Sequence, residues 1–459
     1  MRSGPARIAA GLAAATVLGI VAVAAPSPAS ARPDRPNIVL IVTDDQRADS
    51  LTTEPVGMPW LRAQLDTPGS GWLWFPEAYV TTPLCCPSRA TLLTGEYARH
   101  HGVTSNHDGR DLDEADTVAV WLRDAGYRTA LVGKYLNEYP WDRGPYVPPG
   151  WDRWLAKTNE ALATTYYGYG LVDQGRSRLV GRGQGDHAVD VLGRAALDFV
   201  AAAPHDAPWF LAFTPPAPHP PWVPRPIDAG TLPAPAPVDP AALNDVAGKP
   251  AWIQGRDEIT PARSAVLDED RRRASETLLG VDAYLEALVR LVAARGELDR
   301  TVFVVMSDNG YQFGEQRWEG KLLPYDDSIR VPLAIRTPWS PGGTVRGPVA
   351  NVDVAPTLAE LAGVTAGTGV DGVSLAEVVR GRAGTAPARP PLLIEWAGGP
   401  GVPAWSGVVT ERLTYVRWAD GTEEVYDRVA DPDQLRNLAG RDDAQLTMLR
   451  AALARFGGS

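Results

Sequence analysis

Two pairs of polar residues follow short apolar runs that have the character of buried strands. The pairs are Asp44 with Asp45 and Asp308 with Asn309. Ligands of open α/β sheets lie outside the carboxyl ends of the strands, so we expect both pairs at one edge. Three carboxylates there would repel one another unless a cation joined them, and all-oxygen ligands favour Ca²⁺ or Mg²⁺ over zinc. For either pair alone, capping of the next helix is the simpler interpretation, but the repeated position favours a metal.

The only two cysteines, Cys85 and Cys86, are adjacent. A disulfide framework is impossible, a vicinal disulfide would be strained, and two thiolates cannot complete a structural zinc site. Pro87 and Gly95 are typical of the first turn and the end of a helix, which places Cys85 at a helix N-terminus. Free N–H groups and Arg89 would favour anions there. A buried, unreactive thiol is the alternative interpretation.

The composition limits the class of protein. Apolar residues make up 44% and charged residues 22% of the 459 residues, which excludes a disordered chain or a coiled coil. The net charge is −11 at pH 7, and no long basic run is present, so nucleic acid is not an expected partner. An anionic ligand must therefore be held by a local cluster of positive charge. Lysine is rare and occurs only as Lys134, Lys157, Lys249 and Lys321.

Apolar β-branched runs alternate with helical patterns along the chain. This alternation predicts an α/β fold with a mixed, mostly parallel sheet and helices on both faces. The predicted strands are 36–43, 129–132, 209–214, 301–306 and 331–335. The predicted helices are 117–125, 187–202 and about 264–294.

Two later regions have a different character. The eleven prolines of residues 215–240 exclude a helix or an inner strand and predict a long, stiff surface loop. Beyond about residue 385, short strand patterns and a final helix at about 443–456 predict a small α+β subdomain with a short antiparallel sheet. We therefore predict a main domain over 32–385 and a C-terminal subdomain over 386–459. The strand patterns of that subdomain are 392–396, 413–418 and 424–426.

The N-terminal residues have the pattern of a secretory signal peptide. Arg2 and Arg7 precede the uncharged stretch 8–25, and Ala29-Ser30-Ala31 follows it. We expect a signal peptide over 1–31 and a secreted protein with no stable membrane insertion after cleavage. An uncleaved anchor is the alternative, since the apolar stretch approaches spanning length.

An ordered set of motifs resembles the sulfatases of the alkaline-phosphatase superfamily. Residues 85–95 match the signature Cys-x-Pro-Ser-Arg followed by an apolar pair and Thr-Gly, and residues 126–136 match a second signature. The resemblance extends from about Pro36 to Asn437. Further segments are similar to the N-acetylglucosamine-6-sulfatases and the extracellular heparan endosulfatases. These segments are 133–139, 146–151, 216–219 and 324–332.

The resemblance implies a modified nucleophile and a bound cation. A formylglycine-generating enzyme would oxidise Cys85 to formylglycine (3-oxoalanine), and the hydrated aldehyde would attack sulfur. The cation would be Ca²⁺, with Mg²⁺ as the alternative. Its ligands would be Asp44, Asp45, Asp308, Asn309 and the modified Cys85.

The same resemblance assigns roles to four other residues. Arg89 would hold the formylglycine hydrate, while Lys134 and Lys321 would bind sulfate oxygens. His219, in the proline-rich loop, would protonate the leaving alcohol oxygen. The role implied for His219 depends entirely on the resemblance, because a surface histidine is the ordinary interpretation.

Several further residues are expected near the substrate. His101 and Asn137 are the predicted substrate-binding residues, although the neighbouring His100 could replace His101. The tyrosine cluster of residues 166–169 fits either stacking on a sugar or packing in the core. Gln312 stands where many sugar sulfatases have a histidine.

These observations predict a secreted sulfatase that hydrolyses sulfate monoesters, with N-acetylglucosamine 6-sulfate or another glycosaminoglycan sugar as the expected substrate. The chain lacks the long basic insertion of the endosulfatases, which favours exo action. A phosphonate monoester or phosphodiester hydrolase of the same superfamily is the first alternative. An inactive sugar- or anion-binding protein is the second.

Overall fold

The computed structural model describes residues 1, 4, 35–158, 166–399, 401–440 and 444–457. The predicted signal peptide lies outside these residues, apart from residues 1 and 4. The described residues from Arg35 onward form one compact unit. None of the described helices is long and apolar enough to cross a lipid bilayer.

Strands make up a large central sheet, two short pairs and a C-terminal sheet. Their bounds are β1 Asn37–Thr43, β2 Trp72–Trp74, β3 Ala78–Tyr79, β4 Arg128–Lys134, β5 Arg153–Lys157, β6 Gly170–Asp173, β7 Arg176–Leu179, β8 Trp209–Thr214, β9 Thr301–Ser307, β10 Gln312–Phe313, β11 Glu319–Gly320, β12 Leu333–Arg336, β13 Gly343–Thr344, β14 Val349–Ala350, β15 Leu392–Trp396, β16 Trp405–Val409, β17 Leu413–Trp418 and β18 Glu423–Asp427.

The central sheet has a parallel interior and antiparallel borders. Its order in the described residues is β13-β2-β12-β9-β1-β8-β4-β5-β6-β7. The strands from β9 to β5 in that order are mutually parallel, whereas β12 and β6 run antiparallel to their inner neighbours. Every residue of β1 and β9 is buried, as expected for strands covered on both faces. The predicted mixed, mostly parallel sheet is confirmed.

Helices cover both faces of this sheet. Leu278 and Val281 of α8 pack in the core on one face, and Ala90 and Leu92 of α2 pack in the core on the other. The helix bounds are α1 Pro59–Asp66, α2 Cys85–Thr94, α3 Ala98–His101, α4 Val118–Asp124, α5 Ala188–Ala201, α6 Pro240–Leu243, α7 Ala251–Gln254, α8 Pro261–Ala294, α9 Asp326–Ile329, α10 Val354–Ala362, α11 Ala376–Val379 and α12 Ala444–Ala454.

The C-terminal part contains the expected antiparallel sheet. Its order is β15-β16-β17-β18, and α12 follows. Strand β16 has no counterpart in the sequence prediction, because Ser406 and Gly407 interrupt its apolar pattern. The division at residue 385 stays a prediction. The proline-rich loop forms no helix or sheet strand before Pro240, where α6 begins.

Candidate active site

The two acidic pairs predicted from the sequence meet at one edge of the sheet. Asp44 and Asp45 follow β1, and Asp308 and Asn309 follow the neighbouring β9; all four are at least 96% buried. Oxygen atoms of the three aspartates and the Cys85 sulfur lie within 4.8 Å of one another. The parallel register of β1 and β9 brings these groups together, since Thr43 pairs with Ser307.

This oxygen-rich pocket fits a hard divalent cation. Asn309 Nδ2 donates to Asp45 Oδ1 and to the Gly310 carbonyl, so the amide oxygen is the Asn309 atom that could bind a cation. Asp45 Oδ2 and Asn309 Oδ1 are buried without a hydrogen-bond partner among the described residues. Buried oxygens of this kind are normally satisfied, and a cation would satisfy them. Carboxylate and amide oxygens are the ligands that Ca²⁺ and Mg²⁺ prefer.

Cys85 is the first residue of α2, as predicted, and Gly95 ends that helix in a left-handed conformation. Its thiol lies 3.4 Å from Asp44 Oδ1, and Lys321 Nζ lies 2.8 Å from the sulfur. Burial and the charge of Asp44 raise the pKa of the Cys85 thiol to about 12. Cys86, by contrast, is buried in the apolar core on the other side of the helix start.

Three cations pair with the three aspartates. Lys134 Nζ lies 2.6 Å from Asp44 Oδ2, and Arg89 Nε lies 2.8 Å from Asp308 Oδ2. Burial acts to raise the pKa of Asp44, but Lys134, His219 and Arg89 together hold it well below the ordinary value. Burial and the charge of Asp44 raise the pKa of Asp308.

Two tryptophan side chains fix the backbone at the third cation, Lys321. Lys321 Nζ lies 2.5 Å from Asp45 Oδ1. Trp318 Nε1 donates to the Lys321 carbonyl, and Trp405 Nε1 of β16 donates to the Leu322 carbonyl. The C-terminal sheet therefore helps to position a residue of the main site.

Lys134 depends on the glycine that precedes it. Gly133 has φ of +132°, and a side chain there would collide with the Thr214 carbonyl of β8. Only glycine allows this close approach without strain. Arg89 Nη1 donates to the Lys134 carbonyl, which ties α2 to the end of β4.

His219 lies beside the cluster, on the proline-rich loop. The Asp44 amide donates to the Ala217 carbonyl at 3.0 Å, which joins the loop to the end of β1. His219 Nδ1 donates to the Pro220 carbonyl, and Nε2 lies 3.8 Å from Asp45 Oδ2. The imidazole is about one-third exposed, so one edge faces solvent.

The two predicted substrate-binding residues do not join the charged cluster. The ring nitrogens of His101 bond Thr91 Oγ1 and the Val103 amide, and burial lowers the pKa of His101 to about 4. These contacts hold the buried His101 ring in place. Asn137 is half-buried in the segment after β4, and its Oδ1 has no partner among the described residues. Substrate binding by either residue stays a prediction.

Burial also characterises the remaining residues that the sequence singled out. Tyr166 and Tyr169 are fully buried and belong to the core. Gln312 is also fully buried, and its amide bonds Gln316 and Ser328. Lys157, at the end of β5, is a charged neighbour of the site that the sequence analysis missed. The sequence signal that could have identified Lys157 was the rarity of lysine, because Lys157 is one of only four lysines in the chain.

Comparison with known proteins decides the family. Residues 36–364 match the family model "Sulfatase", and residues 314–455 match "N-sulphoglucosamine sulphohydrolase, C-terminal". The chain belongs to the sulfatase family. Human N-acetylglucosamine-6-sulfatase is 33% identical over 90% of this chain and 82% of its own length. The chain is thus a sulfuric ester hydrolase with relatives that act on sulfated sugars.

Further relatives agree with this assignment. A putative extracellular sulfatase Sulf-1 homolog of Caenorhabditis elegans is 34% identical over 75% of this chain and 49% of its own length. The structure of BT4656 in complex with its substrate D-glucosamine-2-N,6-O-disulfate has a TM-score of 0.75 and 24% identity, covering 92% of this chain and 97% of that one. Agrobacterium radiobacter phosphonate monoester hydrolase has a TM-score of 0.69 and 23% identity, covering 92% and 94%. These likenesses confirm the alkaline-phosphatase-like fold.

Proposed function

We propose that this sulfatase is secreted and hydrolyses sulfate monoesters of sulfated sugars, such as N-acetylglucosamine 6-sulfate, by means of a formylglycine and a divalent cation. The observation that carries the proposal is the position of the Cys85 sulfur, which lies beside Asp44 and Lys321 and within 4.8 Å of oxygen atoms of Asp44, Asp45 and Asp308. A nucleophile there would contact the cation and a bound sulfate at the same time.

The nucleophile derives from Cys85. The formylglycine-generating enzyme, with an external two-electron oxidant, replaces the Cys85 sulfur by a carbonyl oxygen, and the sulfur leaves as sulfide. Water then adds to the aldehyde to give a geminal diol. One hydroxyl attacks sulfur and the sugar alcohol leaves, which gives an enzyme sulfate ester. The second hydroxyl then loses its proton, the carbonyl reforms, and sulfate departs by carbon–oxygen cleavage.

The cation would be held by Asp44, Asp45, Asp308 and Asn309 together with the modified Cys85. We assign Ca²⁺, with Mg²⁺ as the alternative. When bound, the cation lowers the pKa of the attacking hydroxyl and neutralises charge on the sulfate oxygens.

The surrounding side chains supply the remaining steps. Lys134 and Lys321 bind sulfate oxygens and stabilise the charge that develops on them. Arg89 holds the formylglycine hydrate, and its buried Nη2 has no hydrogen-bond partner among the described residues. His219 donates a proton from Nε2 to the leaving oxygen, and its Nδ1 contact with the Pro220 carbonyl orients the ring.

The relatives support the proposed substrate class. Human N-acetylglucosamine-6-sulfatase and the sugar-bound BT4656 structure both support a glucosamine-type sulfate. His101 and Asn137 are proposed to shape the sugar pocket, and we propose exo action on small glycans. The extracellular sulfatase relatives of Caenorhabditis and Drosophila support secretion.

Sulfate release decides between the candidate activities. Protein with Cys85 fully converted, as shown by the mass of the peptide Ala63–Arg89, would be assayed on 6-sulfated glucosamines, an aryl sulfate and an aryl phosphodiester. We expect sulfate release from the sugars. A large preference for the phosphodiester would instead favour the phosphonate hydrolase relatives. If the converted protein turned over none of these esters, the proposed activity would be overturned. Secretion is tested separately, by sequencing the N-terminus of the protein found in the culture medium.

A further inference from the structure

Lys157 lies beside the active-site cluster, on the next strand. It is the last residue of β5, and it pairs in parallel register with Lys134, the last residue of β4. Neighbouring strands are about 4.8 Å apart, so the two lysines project from adjacent points of the same sheet edge. Lys157 is 93% buried, although it carries an ammonium group.

The charge of Lys157 has no carboxylate partner in the described part of the chain. The other three cations of the edge all form ion pairs with Asp44, Asp45 or Asp308. No acidic group of the described residues lies within ion-pair distance of Lys157 Nζ, and the ring of Tyr169 lies 5.6 Å away. Burial and the nearby Lys134 lower the pKa of Lys157 to about 8.

A buried ammonium without a counter-charge costs free energy that a bound anion would restore. The transferred sulfate monoester carries a single negative charge, and the proposed function already assigns Lys134 and Lys321 to its oxygens. Lys157 is therefore a surplus cation, one strand farther from β1 than Lys134. A substrate with a second anionic substituent would supply the missing partner.

We propose that Lys157 is a specificity-determining residue that binds a second anionic substituent of the sugar, either a further sulfate or a carboxylate. This inference rests on the proposed function. The enzyme then prefers sugars that carry two anionic groups over sugars that carry only the sulfate to be removed. An ammonium with three N–H donors suits such a group.

The test compares binding of singly and doubly charged sugars by calorimetry. Cys85→Ala protein would be used, so that no turnover disturbs the titration. The probes are N-acetylglucosamine 6-sulfate, glucosamine 2-N,6-O-disulfate, N-acetylglucosamine 3,6-disulfate and a disaccharide of a uronic acid and 6-sulfated N-acetylglucosamine. We expect Lys157→Met to reduce the preference for at least one doubly charged sugar about 10- to 100-fold, the loss of one charge-assisted contact. Lys157→Arg should keep most of the preference.

Lys249→Met is the matched control, since Lys249 is the other buried lysine whose pKa is lowered to about 8. In Lys249→Met, the ratio of the affinity for doubly charged sugars to the affinity for singly charged sugars should equal that of the parent protein. An unchanged ratio for every doubly charged sugar in Lys157→Met, or an equal loss for singly and doubly charged sugars, would overturn the inference. Because binding is measured without turnover, absence of sulfate release from the wild-type enzyme would count against the proposed function alone.

Discussion

Two clusters of buried charge lie in different parts of the molecule, and they differ in how fully their charged groups are hydrogen-bonded. The first is the active-site cluster of Asp44, Asp45, Asp308 and their cations. The second surrounds Lys249 at the junction with the C-terminal sheet, and we call it the Lys249 network. Its members are Lys249, Tyr325, Trp418, Glu424, Tyr426 and Gln434.

The Lys249 network satisfies its charged groups. Lys249 Nζ donates to Tyr426 Oη at 2.9 Å and to the Gln434 carbonyl at 2.6 Å. Both Glu424 oxygens accept hydrogen bonds, from the two tyrosines and from Trp418 Nε1. A buried polar network with these contacts holds elements in one arrangement.

The active-site cluster leaves Asp45 Oδ2, Asn309 Oδ1 and Arg89 Nη2 without partners in the described residues. Unsatisfied buried atoms are costly, so they persist where a ligand completes them. Burial of charge alone therefore does not indicate catalysis. The charged groups make the distinction: Lys249 and Glu424 are fully bonded and the partnerless atom of their network, within the described residues, is the neutral Gln434 amide nitrogen, whereas the active-site cluster leaves atoms of Asp45 and Arg89 without partners.

The largest expected effect is at the nucleophile. Cys85→Ala should reduce kcat/KM for sulfate release about 10⁴-fold or more, because it removes the group that becomes the formylglycine. Cys86→Ala is the matched control and should keep activity within about twofold of the wild type, since its thiol faces the apolar core. Normal turnover by Cys85→Ala would refute the nucleophile assignment.

Removal of the cation should have the next largest effect. Chelation with EDTA should reduce sulfate release about 10³-fold, since the cation supplies several kcal/mol of charge stabilisation. It should also lower the Tm, because a cation at 100 times its Kd contributes about 2.7 kcal/mol to folding. Added Ca²⁺ should restore both quantities. Full activity and an unchanged Tm in EDTA would contradict the proposed site.

Substitution of His219 should affect one class of substrate more than another. His219→Gln should lower kcat for a sugar sulfate about 10²-fold or more, because the alcohol leaves poorly without a proton. An aryl sulfate has a better leaving group, so its kcat should change much less. Equal losses for both substrates would show that His219 has another role. Parallel assays on the same preparation provide the measurement.

The smallest effect on activity is expected in the Lys249 network. Lys249→Met should leave kcat per folded molecule at pH 7 within about twofold of the wild type, because its contacts do not reach the active-site cluster. Sulfate release per active-site equivalent is the measurement. A loss comparable with that of His219→Gln would remove the distinction between the two clusters.

The same variant should change how stability depends on pH. Burial lowers the pKa of Lys249 from 10.5 to about 8, against the opposing charge of Glu424. Between these two values the unfolded chain binds more protons at Lys249 than the folded chain does, so this group's contribution to stability increases as pH rises. Denaturant unfolding should show the wild type gaining up to about 3 kcal/mol relative to Lys249→Met across that window. If the free energy of unfolding depended on pH in the same way in the wild type and in Lys249→Met, the expected difference would be contradicted.

Much of the fold was predictable from local patterns, and the failures have physical causes. The inner strands β1, β8 and β9 are continuous apolar runs, which identify buried parallel strands. The border strands β6 and β7 were missed because both are only four residues long. Strand β6 has just two apolar side chains, Leu171 and Val172, and every residue of β7 is exposed. Strand β12 was located, but nothing in its residues indicated that it runs antiparallel to β9.

The sequence by itself determined the parts of the site that depend on local structure. Acidic pairs directly after two buried strands, and Cys85 at the start of a helix with Pro87 and Gly95, follow from rules that act over a few residues. The motifs then extended the assignment to Lys134, Lys321 and His219 through resemblance.

Only the tertiary structure decided which of these groups meet. Lys134 pairs with Asp44 across 90 residues of chain, and Lys321 pairs with Asp45 across 276 residues. Strand order and register set these pairings, and no local pattern encodes them. The same long-range geometry places Lys157 beside Lys134 without a carboxylate partner in the described residues. Burial and pairing are properties of the assembled sheet edge, so they appear only when the distant strands are brought together.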